Sequence, residues 1–466
     1  FLSFEAAKLA YAFALTAVPA FFLGLALPMA CRQAAASGEG EGRAVGKILA
    51  FNASGNFAGA LSALWLLPAL GLRGLIEACV WLLAGAAGLI WWGGSSLRGP
   101  LRGLPAAAGL AAAGIMLSLA GPWDRAMISS GAFRAEDSFL EDGPEVFRKR
   151  LSGQNLLFYR DDREATVGVL RGPEGKLFMR INGKTDASLG EDAATQVLLA
   201  HLPLVLKPGA RDVLVIGLGS GMTAASALTH PVRSVEIAEL SSAVVEGSEL
   251  FAPHRARPLT DPRVKIRVAD GRRVLREGGP YDLIISEPSN TWIAGMGNLF
   301  TVEFFREAAR KLRPGGLMVQ WIHAYEMDDA AFSMVLRSFG QAFPHLTIWN
   351  LSGPDYAIVG SVQPWAPDFR AGEKALSKEV REDLSRFGIG GLAGLLSRQS
   401  NSEASTRDLA GKGPLNEDRF PELEYRSPRA MFLRSVPAAL FSHDDRLSPR
   451  GKRGLLLTRY LRGKSP

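Results

Sequence analysis

The stretch "DVLVIGLGSGMTAASAL", residues 212–228, decides how this chain is read. It opens with a near-continuous apolar run, which suits a strand buried on both faces. Gly217, Gly219 and Gly221 follow, and then an alanine-rich helical run. Glycines directly after a strand and before a helix permit a tight turn and close approach of backbone to a ligand. The spacing alone is a weak signal, because an ordinary strand-to-helix turn can look the same. Its weight comes from what recurs downstream.

Further strands read at "SVEIAE" (234–239), "VKIRVAD" (264–270), "YDLIIS" (281–286), "GLMVQWI" (316–322), "LTIWNL" (346–351) and "YAIVGS" (356–361). Helical stretches such as "LFTVEFFREAARKL" (299–312) lie between them. This alternation predicts an α/β fold with a doubly wound, mostly parallel sheet over 207–365. Ligands in such sheets sit beyond the C-terminal ends of the strands. Acids fall there. Glu236, assigned to the end of the second strand, would accept hydrogen bonds from ribose hydroxyls. Asp270, followed by Gly271, ends the third and suits an adenine amino group. Glu287 follows the fourth, where Pro288 stops the sheet. Glycine turn and three acids on four successive strands form a far stronger constellation than any one of them.

Upstream, residues 155–206 read as a small β region and a helix. Short strands run to 183 with a turn at "GPEG" (172–175), and "LFMRINGKTDAS" is an extended piece ending in a glycine loop. "DAATQVLLAHLPLVL" (192–206) is helical in period. Residues 122–154 read as a linker and 366–466 as a C-terminal extension with a basic tail.

The first 121 residues differ in kind. Four candidate membrane helices follow one another, at roughly 9–30, 48–70, 75–92 and 104–120. Gly55 and Gly59 in the second have the G-x-x-x-G spacing that lets helices approach closely in lipid. A cleaved signal sequence accounts only for the first run, and four long apolar runs do not suit one soluble core. The chain starts at Phe1, so a fragment or processed chain is expected.

Apolar residues make up 47% of the chain, charged residues 21%, and the formal net charge is +7. Positive charge concentrates in "RLSPRGKRGLLLTRYLRGKSP", residues 446–466. On a membrane protein such a tail meets anionic headgroups, so the lipid bilayer is an expected partner. No recognisable nucleic-acid module accompanies it, and nucleic acid is not expected. The two cysteines, Cys31 and Cys79, make neither a disulfide framework nor a thiolate metal site. Six histidines are scattered, and His323 and His345 read as structural. No metal is expected.

"DVLVIGLGSG", "VEIAELSSAVVE", "DPRVKIRVADGRRVL", "YDLIISEPSN" and "LFTVEFFREAARKLRPGGLMVQW" together resemble the spermidine synthase family of aminopropyltransferases and, beyond it, the class I methyltransferase fold. "ISEPSN", "PGGLMVQWIHAYEM" and "LNEDRFPELEY" (415–425) are similar to bacterial membrane proteins with a spermidine-synthase-like domain fused to transmembrane helices. The resemblance implies an adenosyl sulfonium cofactor, decarboxylated S-adenosylmethionine or S-adenosylmethionine, and a small amine acceptor. It places Glu287 where the family has a catalytic Asp that takes a proton from the amine. Ser220 matches an Asp that holds the cofactor amine, Asp186 matches a Gln near the cofactor, and Thr195 matches a Tyr lining the amine site. Asn290 matches a second, diamine-binding Asp, so charge is missing from that site and putrescine is doubtful. Trp292, beside Pro288 and Ile293, would supply an apolar wall that raises the pKa of Glu287.

The expected function is therefore membrane-anchored aminopropyl transfer to an amine. One rival is methyl transfer from intact S-adenosylmethionine, favoured by Ser220 in place of an Asp that would repel a carboxylate. The other is a non-catalytic membrane transport or assembly protein with a nucleoside-sensing domain. A homodimer is one expected assembly. The bacterial inner membrane is the expected location. Arg32, Arg43, Lys47, Arg98 and Arg102 flank the loops that would put the domain outside by charge bias, against Arg73 alone on the other side. Adenosyl cofactors are cytosolic, which argues for the cytoplasmic side.

Overall fold

The structure is a computed structural model that describes residues 2–35, 41–94, 103–131, 145–146, 148–149, 151–190, 192–257 and 259–463. The chain divides into two compact units, Phe1–Leu117 and Ser118–Pro466.

The first unit is helical. Its helices are Leu2–Ala35, Glu41–Gly94 and Leu104–Leu119, the last running two residues past the unit. The second is two helices joined at Gly71, whose φ of 70° and ψ of 172° are not helical. The expected runs at 48–70 and 75–92 fall on either side of that break. Leu9–Ala34 and Gly42–Trp92 are long and apolar enough to cross a membrane. Leu104–Leu119, at 16 residues, is shorter than the roughly 20 that a span needs. The four expected runs thus fall on three continuous helical stretches, one of them broken at Gly71, and two of these stretches meet the length criterion among the described residues. Phe51, Leu82 and Leu89 are exposed along them.

The second unit holds two sheets. The smaller is antiparallel in the order β1 (Asn155–Asp161), β2 (Thr166–Arg171), β3 (Leu177–Ile181), β4 (Lys184–Ser188). The piece expected to be extended is a hairpin. Asn182 and Gly183 both have positive φ, 50° and 83°, and such a pair closes two-residue hairpins because its twist matches the strands. Part of the expected linker is also ordered. Asp124 caps a short helix, Arg125–Ile128, and Arg180 of β3 donates to the Ser129 carbonyl at 3.0 Å. Residues 132–144 lie outside the described residues.

The larger sheet has eight strands in the order β12-β10-β11-β9-β8-β5-β6-β7. Here β5 is Asp212–Ile216, β6 Ser234–Glu239, β7 Val264–Val268, β8 Tyr281–Ser286, β9 Leu312–His323, β10 His345–Ser352, β11 Asp355–Ser361 and β12 Gln399–Asn401. The five strands from β9 to β7 are mutually parallel, and β11, β10 and β12 join antiparallel at one edge. Alternation sorts each buried strand between two apolar layers. Val213, Val215, Leu283 and Ile285 face one layer, while Leu214, Ile216, Ile284 and Met318 face the other.

The C-terminal extension is part of this unit. β12 pairs with β10, and Val380, Leu384, Leu396, Leu456 and Tyr460 join the first layer. His201 Nε2 lies 2.9 Å from Asp383 Oδ2, and its Nδ1 lies 2.9 Å from His230 Nε2. The basic tail is a helix, Leu456–Arg462, with Tyr460 buried and its hydroxyl bonded to Glu373.

Candidate active site

From β5 the chain runs outward through β6 and β7, then returns to β8 and β9 on the other side of β5. The crevice between β5 and β8 is therefore the topological switch point. Two loops meet there backbone to backbone. Glu287 N donates to the Ile216 carbonyl at 2.8 Å, and Gly217 N donates to the Ala238 carbonyl at 2.9 Å. Gly217 has φ 99°, and a Cβ on it would lie 2.4 Å from the Glu287 carbonyl oxygen. Gly217→Ala should cost about 2 kcal/mol or more of stability from the backbone strain alone. Thermal unfolding checks it, and an unchanged midpoint would contradict the close approach.

Over these strand ends lies a cavity of roughly 510 Å³, within the usual range for a small-molecule site. Gly217, Gly219, Asp186, Thr195, Asp270, Gly271 and Glu287 all line it. Asp270 also caps the helix Gly271–Glu277, accepting from Arg273 N at 2.9 Å. Asp186 accepts from Lys184 Nζ at 2.5 Å and from Ser289 Oγ at 2.6 Å, which ties β4 to the loop after β8.

Other expected residues do not reach the cavity wall. Glu236 is the third residue of β6, near the end remote from the cavity. Its carboxylate accepts from the Tyr281 hydroxyl at 2.6 Å and lies 3.6 Å from both Lys265 and Arg267. The acid at the C-terminal end of β6 is Glu239, which lines the cavity. It accepts from Leu218 N at 3.0 Å and Ser241 N at 2.9 Å. Burial raises its pKa, against those two N–H bonds. Ser220 is fully buried, and its hydroxyl donates to Gln196 Oε1 at 2.5 Å. Gly221, at φ 78°, opens the helix Met222–Ala227 under Arg255 and Leu259. Asn290 is fully buried off the wall, with neither side-chain polar atom partnered among the described residues. Trp292 is buried outside the wall as well. His323 is buried, with Nδ1 2.6 Å from the Tyr325 carbonyl.

Glu287 is a strongly perturbed acid of the site. Burial pushes its pKa up to about 8, the charges of Asp355 and Asp192 push the same way, and a hydrogen bond from Thr223 opposes them. Asp355, the first residue of β11, was not expected from sequence. It accepts from Thr195 Oγ1 at 2.8 Å, and burial raises it to about 6. Asp355 and Asp192 both line the cavity with Glu287. Asp192, Glu287 and Asp355 thus bring three carboxylates to the cavity from three different elements, while Asn290 brings none. No local motif marks Asp355, whereas Glu239 was legible as the last residue of "VEIAE".

Residues 192–360 match the family model described as the spermine/spermidine synthase domain. Spermidine synthase 1 of Datura stramonium is 34% identical over 187 residues, covering 38% of this chain and 60% of that protein. The polyamine aminopropyltransferase of Leptospira biflexa is 28% identical over 214 residues, covering 43% and 75%. A crystal structure of a spermidine synthase in complex with the transition-state analogue AdoDATO aligns with a TM-score of 0.42 at 19% identity, covering 55% of this chain and 87% of that one. The chain spans 53–60% of the length of the plant relatives it matches. The glycine turn, Glu239, Glu287 and Asp355 all fall within the stretch that matches this family model.

Proposed function

We propose that the chain transfers an aminopropyl group from an adenosyl sulfonium donor to an amine, with Glu287 as the general base. The carrying observation is a carboxylate held near pKa 8 at the switch point, facing a cavity with acids at both ends. A base of that pKa is half ionised close to working pH and strong enough to take an ammonium proton. The donor supplies an electrophilic carbon next to its sulfonium. Glu239 accepts the ribose hydroxyls, Asp270 meets the adenine edge, and the turn at Gly217–Gly219 lets the donor lie close to backbone. Asp355, Asp192 and Thr195 receive the acceptor ammonium.

The wall's electrostatics select the donor. Glu164, Asp186, Asp192, Glu239, Asp270, Glu287 and Asp355 line the cavity, against the cations Lys184 and Arg272. Such a wall favours the decarboxylated donor, which carries a second positive charge without a carboxylate. Methyl transfer from the intact cofactor is the second reading. It is supported by Ser220, which leaves no carboxylate in the glycine turn. Calorimetry of the full chain with each cofactor, followed by an amine screen read by mass spectrometry, tests both. Binding of neither cofactor would end the proposal, and a methylated product would replace it.

Membrane attachment belongs to the same proposal. Leu9–Ala34 and Gly42–Trp92 would hold the chain in a bilayer. The catalytic unit would face the cytoplasm, where adenosyl donors are made.

Asp355→Asn tests the acceptor end. Losing a partly buried charge-assisted contact costs about 1.5–3 kcal/mol, so KM for the amine should rise roughly tenfold to a hundredfold. Donor affinity should stay within a factor of about two. Removing a like charge should also lower the pKa of Glu287, so the rise of rate with pH should move to lower pH. An unchanged KM would remove Asp355 from acceptor binding.

A further inference from the structure

Thr223 sits on the helix Met222–Ala227 and is 2% exposed. Its hydroxyl oxygen lies 2.7 Å from Glu287 Oε2 and 3.0 Å from the main-chain carbonyl oxygen of Gln196. A hydroxyl has one proton to donate and lone pairs to accept with. The Gln196 carbonyl can only accept, and so can an ionised Glu287. Thr223 therefore cannot donate to both at once. When Glu287 carries a proton the conflict disappears. The carboxyl O–H then donates to Thr223 Oγ1, and Thr223 donates to Gln196. When Glu287 is ionised, the threonine proton turns to Oε2, because a bond to a charged acceptor is about twice as strong. The Gln196 carbonyl then keeps only the place it has in its own helix, Asp192–Leu206.

We infer that Thr223 is a positioning residue whose hydroxyl reverses direction as Glu287 gains or loses its proton. The same oxygen of Glu287 is thereby held in both charge states. Its place in catalysis rests on the reading of Glu287 as the base. The balance is simple: one proton leaves the acceptor nitrogen and arrives on Oε2, and the threonine proton only rotates. Charged groups that act on Glu287 come from other elements. Asp355 on β11 and Asp192 on the helix Asp192–Leu206 raise its pKa directly. Lys184 on β4 acts on Asp355, and Asp186 is reached through Ser289. Among the described residues, Thr223 is the side chain that hydrogen-bonds the Glu287 carboxyl directly, and a hydroxyl both donates and accepts without changing its own charge.

Thr223→Val keeps the shape and removes the hydroxyl, and Thr223→Ser restores it. The readout is infrared titration of the full chain, with the Glu287 carboxyl band identified by its loss in Glu287→Gln. This needs neither substrate nor turnover. In Thr223→Val the titration midpoint should rise by about one pH unit, because the ionised state loses the stronger of the two bonds. The C=O stretch of protonated Glu287 should move to higher frequency, as for a carboxyl without a partner. Thr223→Ser should keep both near wild type. If Thr223→Val does not fold, Thr223→Ala with the same two readouts takes its place. An unchanged or lowered midpoint, or no recovery in Thr223→Ser, overturns the inference.

Kinetics add a second arm. Turnover of Thr223→Val near neutral pH should fall about tenfold and recover above about pH 9, whereas a residue that only packs would lower it at every pH. A wild type that binds no donor and turns over no amine would defeat the proposed function while the infrared result still decides the role of Thr223.

Discussion

Glu287→Gln should lower turnover by roughly 10²–10⁴, the usual worth of a positioned base, and leave donor affinity within a factor of about two. The substitution keeps size and hydrogen bonding but removes the proton acceptor. Because the free carboxyl is raised to about 8, wild-type kcat/KM should climb with pH through that region, and Glu287→Gln should lose the climb. Stability carries the opposite sign. A folded pKa above the ordinary 4.5 of a glutamate means that ionising Glu287 works against the fold. Its contribution is fully present below about pH 4.5 and is lost as pH rises through about 8. Glu287→Gln should therefore unfold at a higher temperature than wild type at pH 9 and at a similar one at pH 4. Near-wild-type turnover with any acceptor would take Glu287 out of the chemistry. The loop after β8 would then be using its acid as a cap, and the cost of glutamine would appear in stability alone.

The second large effect is expected at Glu239. Glu239→Gln should weaken donor binding tenfold to a hundredfold, since hydrogen bonds to a charged acceptor contribute about 1.5–3 kcal/mol. Two of its acceptor positions already hold Leu218 N and Ser241 N. Glu239 also lines the cavity, where ribose hydroxyls would donate. Glu236→Gln is the matched control. Its carboxylate is engaged by Tyr281 at the other end of the strand, so donor affinity should change less than twofold. Calorimetry of the two variants separates the positions. Equal losses would contradict the geometry.

That pair shows what was legible in the sequence. The existence of β6 was plain from its apolar run, and seven of the large sheet's strands fall where such runs predict. The bounds of β6 were read correctly at 234–239, but Glu236 was taken for its terminal acid, and three residues along a strand move a side chain to the other face and along the ladder. β12 has three residues and no pattern of its own. It is a strand because β10 offers an open edge. Asp355 was illegible for a related reason. It follows the Gly353–Pro354 turn, and only the antiparallel return of β11 against β9 brings that turn beside the loop after β8. The hairpin at Asn182–Gly183 did have a local signature, the Asn-Gly pair, masked by the apolar run before it. In the first unit the break at Gly71 was legible, since the apolar runs read at 48–70 and 75–92 stop on either side of it.

The packing of Leu456 and Tyr460 into the first apolar layer, with Asp383 bonded to His201, has a bearing on how the protein comes to be made. A chain leaves the ribosome from its N-terminus, and segments fold as their partners emerge. The strands that carry Glu239, Glu287 and Asp355 are complete by Ser361, yet the layer beneath them still lacks Val380, Leu384, Leu396 and Leu456. Until about residue 460 has been synthesised, the nascent unit must expose that apolar surface and the polar edge of β10. The stretch that closes the fold is thus made well after the strands that carry the site, and termination between Ser361 and Leu456 would release a chain that chaperones and proteases treat as unfinished.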